Sequence, residues 1–398
     1  VFLEVLVRRN RLLVDAAIEL HQRGEIPASS YVLDVDVVRE NVRIFSAEAS
    51  RLRLRTYPMT KQIGRNPAFL RVVAAQGMDA FVAVDMACAR RVHASGYRIG
   101  NLGHLVQVPR AEAQAASAMN PEYWTVFSPE KAREASEAAQ ALDRSQALLA
   151  RIFGDGDKFY TGHEGGFRAR EIGYVADSID QLANVRFAGI TSFPALVYDE
   201  ATKEVRPTPN LATLERAATD LSRLGRDKIE VNAPGTTSSE VLSVLASAGA
   251  TQVEPGHGLT GTTPLHAVRD LPERPAVLYL SEVSHFHAGK AYCYGGGLYV
   301  DPVFSPYELR ALVGKTSEEA VRDRLTVTLP PPIAIDYYGI LDVPPGRTVE
   351  SGDTVIFGFR IQAFVTRAFV VPISGISAGQ PRVEGVYTSG GTVASWPG

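Results

Sequence analysis

Lys61 closes an apolar stretch in LRLRTYPMTKQIGRNP, and Glu254 closes another in TQVEPGHGLTG. A lysine held at a buried strand end has a lowered amine pKa and can form a Schiff base with an aldehyde. The plain alternative is a lysine snorkelling from that end into water. The segment VNAPGTTSS supplies Asn232, Gly235, Thr236, Thr237 and Ser238 directly ahead of the helical EVLSVLAS. Glycine admits close backbone approach, hydroxyls donate, and a helix start favours an anion, so this is phosphate-cradle chemistry. Gly256, His257 and Gly258 form a second tight loop, although glycines in loops also serve turning alone. Glu254 would accept a hydrogen bond from a protonated pyridine nitrogen and keep it protonated, or else form a structural ion pair. Arg65, four residues past Lys61, suits a phosphate dianion or a solvated helix start. Aldehyde, phosphate and pyridine nitrogen point together to pyridoxal 5′-phosphate.

Positioning these groups requires elements that bring distant residues to one place. Strand-like runs fall at 54–60, 80–84, 103–108, 123–127, 147–153, 187–193, 229–233 and 251–254, each apolar and about five residues long. Helical stretches such as DMACARRVHASG, SPEKAREASEAAQAL and LATLERAATDLSRLG lie between them. Short apolar strands alternating with longer helices predict parallel strands buried on both faces. Eight such units in roughly 200 residues match a (β/α)8 TIM-type barrel, whose strand C-termini share one mouth and whose phosphate sites follow strands seven and eight. An open doubly wound sheet is the rival, but GxGxxG is absent after the first strand.

After residue 266 helical periods become scarce, and runs such as AVLYLSEVSHFH and DTVIFGFRIQAFVT predict a C-terminal all-β domain. The division expected is therefore a helical arm (1–28), a cofactor-binding barrel (29–265) and a β domain (266–398). Asn10 is placed to cap a helix over RLLVDAAIELHQR, stopped at Gly24. SPYELRALVGKTSEEAVRD reads as a helical insertion between strands.

Composition excludes other classes. Of 398 residues 45% are hydrophobic and 21% charged, with formal charge -3, so no basic surface recommends nucleic acid. Two cysteines, Cys88 and Cys293, are too few for a disulfide framework and suit a reducing compartment. The arginine-rich N-terminus does not read as a signal peptide, and no apolar run approaches a membrane span. The expectation is a cytoplasmic protein.

The residues quoted resemble those of fold type III pyridoxal phosphate enzymes of the alanine racemase type, in particular bacterial proteins described as alanine racemases. DVDVVREN is similar to the family's Asp-Leu-Asp-Ala-Leu-x-x-Asn, and TKQIGRNP carries the Schiff-base lysine. VEPG stands where the family has Arg-Pro-Gly, and AIDYYGILDV with SGDTVIFGF resembles its C-terminal stretches. The resemblance implies an amino-acid racemase or epimerase acting on a small substrate. It also implies a head-to-tail homodimer with shared active sites.

Several positions depart from the family. Glu254 replaces the arginine at the pyridine nitrogen, as in related decarboxylases, which widens the feasible chemistry to elimination or decarboxylation. Ser192 in TSFP replaces a histidine, Arg65 a tyrosine, and Gly165 in YTGHEGGF an arginine. The family's second base, a β-domain tyrosine, has no recognisable motif here. AYCYGGGLY offers Tyr292, Cys293 and Tyr294, and AIDYYG offers Asp336 and Tyr337. Tyr294, just before three glycines, is the preferred base, with Tyr337 and Cys293 as other proton-handling candidates and Asp336 and Tyr292 toward substrate. All of these aromatics would serve equally as β-core or interface packing. Zinc on His285, His287 and Cys293 fits no specific spacing, so no metal is expected. A cofactor-binding protein without turnover is the remaining alternative.

Overall fold

The computed structural model describes residues 1–396. It divides into two compact units: Arg43–Thr60 with Val73–Gly258, and Val1–Val42 with Lys61–Val72 and everything from Leu259 onward.

The first unit is the parallel barrel. Its strands, in chain order, are Arg55–Thr56, Ala80–Ala83, Arg98–Leu102, Tyr123–Val126, Gln146–Phe153, Val185–Thr191, Glu230–Asn232 and Gln252–Val253. Every neighbouring pair is parallel. A parallel bridge between Met59 and Val82 closes the ring between first and second strands. The strands are short and apolar because both faces are buried. Tyr57, Val82, Leu149 and Ala188 fill the interior with Tyr123 and Ala147. Helices Met86–Ala94 and Pro129–Gln140 are started by side-chain caps, Asp85 accepting from Cys88 N and Ser128 from Lys131 N.

The expected barrel is present, with one strand displaced. The third was expected in GHLVQV (103–108) but is RIGNL, Arg98–Leu102, and 103–108 forms the loop beyond it. The two runs are similarly apolar, and the parallel pairing of Asn101 and Leu102 with Tyr123 and Trp124 selects the earlier one. A hairpin of Leu196–Asp199 with Glu204–Pro207 was not anticipated.

The second unit is β-rich. Its nine-stranded sheet contains a closed barrel in which Val277–His287 pairs with both Thr354–Phe357 and Lys290–Tyr294. That strand serves two partners through a register shift between Val283 and His285. Ser30–Asp34 lies parallel to Phe369–Ser374 and antiparallel to Val277–His287. The division drawn from sequence, with the barrel starting at residue 29, therefore differs from the observed pairing, which puts 30–34 in the β-rich sheet. Asp34 Oδ1 accepts from Asp36 and Val37 N and so caps the helix Val35–Arg51.

Helix Arg11–Gln22 forms as expected, with Asn10 Oδ1 accepting from Leu13 N at 3.3 Å. A further helix, Phe2–Arg9, precedes it. Leu13, Ile18 and Leu20 pack against Leu278, Leu280 and Ile356, each buried leucine contributing about 2 kcal/mol. The helical insertion expected over 305–323 is corrected: Leu309–Gly314 is a strand, and only Ser317–Arg322 is helical, started by a Thr316–Glu319 capping box. Leu309–Gly314 hydrogen-bonds to strands on both sides, which outweighs its helical spacing.

Candidate active site

The barrel mouth is built around Glu254, 2% exposed at the end of the eighth strand. Asn101 Nδ2 from the third strand donates to Glu254 Oε1 at 2.8 Å, and Asn232 Nδ2 from the seventh donates to the same oxygen at 3.1 Å. Each amide is oriented by a threonine hydroxyl at 2.8 Å, Thr125 donating to Asn101 Oδ1 and Thr191 to Asn232 Oδ1. His104 Nε2 faces Glu254 Oε2 at 3.3 Å, with both side chains buried. The carboxylate thus has two amide donors on Oε1 and an imidazole beside Oε2. Its chemistry fits a cationic N–H arriving in the mouth, such as a protonated pyridine.

Above this layer lies an aromatic group. The Phe193 ring sits 5.6 Å from that of His104, 5.7 Å from Tyr160 and 6.0 Å from His163. Ser192, where the sequence departs from the family histidine, is buried and accepts from Asn210 Nδ2 at 3.3 Å.

The two glycine loops pack on each other. A Cβ on Gly258 would stand 2.4 Å from Thr237 O, and one on Gly235 would stand 2.7 Å from Leu196 N. Only glycine permits this approach. Thr237 Oγ1 donates to Gly235 O, and Thr236 N to Leu196 O. Thr237 and Ser238 are buried, while Gly235, Thr236, Gly256 and His257 are half-buried. The helix expected over EVLSVLAS begins as a tight turn, Ser239–Val241, and continues as Leu242–Ser247. These loops supply backbone amides and hydroxyls of the kind that receive a phosphate.

Lys61 and Arg65 stand together in the other unit. Lys61 opens the turn Lys61–Ile63, and Arg65 has a left-handed φ of 54°. Their cationic groups lie 5.3 and 5.8 Å from the Phe364 ring.

In the same unit, Asp336 Oδ2 accepts from Gly296 N, and its Oδ1 pairs with Arg367 at 2.8 Å. The Arg367 guanidinium lies 5.6 Å from the Tyr337 ring. Tyr294 and Tyr337 are exposed by 38% and 61%, so their hydroxyls are accessible within this unit. Tyr292 is stacked on His285 at 4.7 Å. Cys293 requires correction as a proton-handling candidate. It is fully buried with Sγ packed toward Gly339, and burial pushes its thiol up to about 12. The strand's alternation turns 292 and 294 outward and 293 inward.

Asn232 and Glu254 are thus brought together as their spacing implied. Asn101, His104 and Thr125 were missed. The signal for the first two was RIGNLGH, polar residues at a strand end followed by glycine.

Residues 33–264 match the family model described as alanine racemase, N-terminal domain, and residues 278–383 match that described as YhfX-like, C-terminal domain. The chain is 39% identical over 394 residues to protein YhfX of Escherichia coli (strain K12), covering 98% of each. Its fold is similar to D-threonine aldolase from Filomicrobium marinum (TM-score 0.66, 16% identity, 92% of this chain and 96% of that one). It is likewise similar to alanine racemase of Clostridium difficile 630 (TM-score 0.65, 14% identity, 92% and 99%). A third similar structure is D-threo-3-hydroxyaspartate dehydratase from Delftia sp. HT23 (TM-score 0.65, 16% identity, 90% and 97%). Among the described residues no helix is long and apolar enough to cross a membrane.

Proposed function

The chain belongs to the alanine racemase N-terminal domain family, pyridoxal 5′-phosphate enzymes of fold type III, and from that premise we propose that it racemises or epimerises a free amino acid. The family match carries the racemase reading, and the buried Glu254 carboxylate with its two amide donors supports the cofactor it requires. When bound, the cofactor supplies an aldehyde to join the substrate amine and a ring that withdraws electrons from the α-carbon.

The chain's own residues divide the remaining work. Lys61 would hold the cofactor through Nζ and, once the substrate amine has displaced it there, its freed amine would take the α-proton on one face of the substrate. Glu254 keeps the pyridine nitrogen protonated, while Arg65, Asn232, Gly235, Thr236, Thr237, Ser238, Gly256, His257 and Gly258 form the cofactor's surroundings. Tyr294 returns a proton on the opposite face, with Tyr337 as the alternative. Asp336 and Tyr292 belong to the substrate side of the proposed site. The family resemblance supports a homodimer with shared sites, in which the β-domain tyrosine serves the partner.

A second reading, a lyase or decarboxylase, is favoured by Glu254 itself. A protonated ring stabilises a carbanion well enough for elimination or carbon–carbon cleavage, and an aldolase and a dehydratase share the fold. The test is the visible absorbance of purified protein with added cofactor, before and after borohydride, in wild type and Lys61→Ala. A borohydride-sensitive band absent from the variant supports the cofactor assignment. Amino acids are then incubated in D2O: deuterium at the α-carbon without ammonia, aldehyde or carbon dioxide supports racemisation. Release of any of these selects the second reading. A band that no amino acid perturbs indicates binding without turnover.

A further inference from the structure

The loop that carries Lys61 and Arg65 turns through two consecutive left-handed residues, Gly64 at φ 64° and Arg65 at φ 54°. A left-handed arginine is uncommon and persists where its surroundings impose it. Arg65 is 8% exposed, so this turn is covered as well as strained. What covers it comes from the far C-terminal part of the chain.

The covering element is a tight turn over residues 388–392. Thr388 N donates to Thr392 O at 2.8 Å, Gly391 N to Thr388 O at 2.9 Å, and Thr392 N to Thr388 Oγ1 at 3.2 Å. The two backbones meet at a glycine on each side. A Cβ on Gly64 would stand 2.8 Å from Ser389 O, and one on Gly391, itself at φ 81°, would stand 2.5 Å from Arg65 O. A side chain at either place would force the two loops apart. Gly390 differs: it is exposed, and a Cβ there would come no closer than 3.7 Å, to Thr388 Oγ1.

Further ties hold this turn to the elements around Lys61. Ser389 Oγ donates to Thr366 O at 2.8 Å. Thr366 N donates to Ala363 O, closing the turn Ala363–Val365 whose Phe364 ring lies against Lys61 and Arg65. Upstream, Tyr387 exchanges two backbone hydrogen bonds with Val370 of the strand Phe369–Ser374. Glu384 pairs with Arg71 on the helix Pro67–Ala74, which follows the lysine loop. A lysine that joins an aldehyde must present its amine at a fixed place, since a misplacement of about 1 Å can cost about 100-fold in rate.

We propose that the turn over residues 388–392 is a positioning element for Lys61 and Arg65. It imposes the left-handed path through Gly64 and Arg65, and so sets where the amine and the guanidinium stand. That these groups receive a cofactor rests on the function proposed above; that the turn sets their place does not.

The test compares full-length wild type with Gly391→Ala, Ser389→Ala, Ser389→Thr and Gly390→Ala. Hydrogen–deuterium exchange without ligand reads the protection of residues 61–66, and thermal melts read the whole fold. Pyridoxal phosphate is then titrated in, and borohydride trapping at Lys61 is quantified by peptide mass spectrometry. Gly391→Ala and Ser389→Ala should speed exchange over residues 61–66 by about fivefold or more and raise the cofactor concentration for half-maximal trapping by a similar factor. Ser389→Thr keeps the hydroxyl and should recover both, and Gly390→Ala should match wild type. Wild-type exchange over residues 61–66 in Gly391→Ala and Ser389→Ala overturns the proposal. Faster exchange with a wild-type trapping curve does so too, as does an equal loss of protection throughout the β-rich unit, which would make the turn a general stabiliser. If Gly391→Ala does not fold, Ser389→Ala and its threonine rescue decide by the same criteria. Wild type that is never trapped at Lys61 sinks the cofactor reading, and the exchange pattern then decides this proposal alone.

Discussion

Asn101 and Glu254, 153 positions apart in the chain, meet at 2.8 Å across the barrel mouth. The amide comes from the third strand and the carboxylate from the eighth. Asn232 reaches the same oxygen from the seventh strand, so three strands fix one carboxylate.

Replacing that carboxylate tests the electronic role directly. Glu254→Gln keeps the size and an acceptor for both amides but removes the carboxylate proposed to hold a pyridine nitrogen protonated. Cofactor content should persist while kcat/KM for the amino acid falls about 100-fold or more, a loss of about 3 kcal/mol in transition-state stabilisation. Unchanged kinetics would remove Glu254 from the reaction.

Asn101→Ala leaves Glu254 with one amide donor fewer in a buried site. Stability should fall by about 2 kcal/mol, read by urea unfolding. Thr125→Val should cost about 1 kcal/mol by releasing the amide's orientation. The two changes should be non-additive in a double-mutant cycle, because both act on one chain of hydrogen bonds.

Gly258→Ala drives a Cβ to within 2.4 Å of Thr237 O, so one glycine loop must move off the other. We expect cofactor affinity to weaken about tenfold or more while Lys61 retains its borohydride-sensitive linkage at saturating cofactor. Equal affinity in the variant would show that loop apposition does not shape the phosphate cradle.

Tyr294→Phe separates the two proton transfers. Racemisation should fall about 100-fold or more, while α-deuterium exchange of one enantiomer continues through Lys61. If Tyr337→Phe shows this split and Tyr294→Phe does not, the second base is Tyr337.

Cys293 gives a pH-dependent prediction. Burial raises its folded pKa to about 12 from an ordinary 9.0. A raised acid contributes stability that is complete below pH 9 and is lost as pH climbs toward 12, because only the unfolded thiol ionises there. Three pKa units correspond to about 4 kcal/mol. Wild type should therefore lose more stability than Cys293→Ala over this window, in thermal melts at successive pH values. Iodoacetamide at pH 8 should label Cys293 only after unfolding.

The barrel was legible because its strands are apolar on both faces and its helices carry their own stops. Glu254 and Asn232 were legible as polar residues ending such strands. Asn101 and His104 were not, because the third strand was placed five residues late, which moved both off its end. Leu309–Gly314 misled in the opposite sense: its spacing suits a helix, but its hydrogen bonds go to neighbours distant in sequence. Local pattern specifies element type well, and long-range pairing decides which end of an element meets which other.

The two threonine–asparagine relays onto Glu254 run in one direction. Each hydroxyl donates to an amide oxygen, and each amide donates to the carboxylate. This polarity makes the floor of the mouth selective before any ligand arrives. A visitor offering a hydrogen to Glu254 continues the relay, whereas one offering only a lone pair meets another acceptor. On the function proposed above, the barrel would therefore favour a ring that carries a hydrogen on its nitrogen.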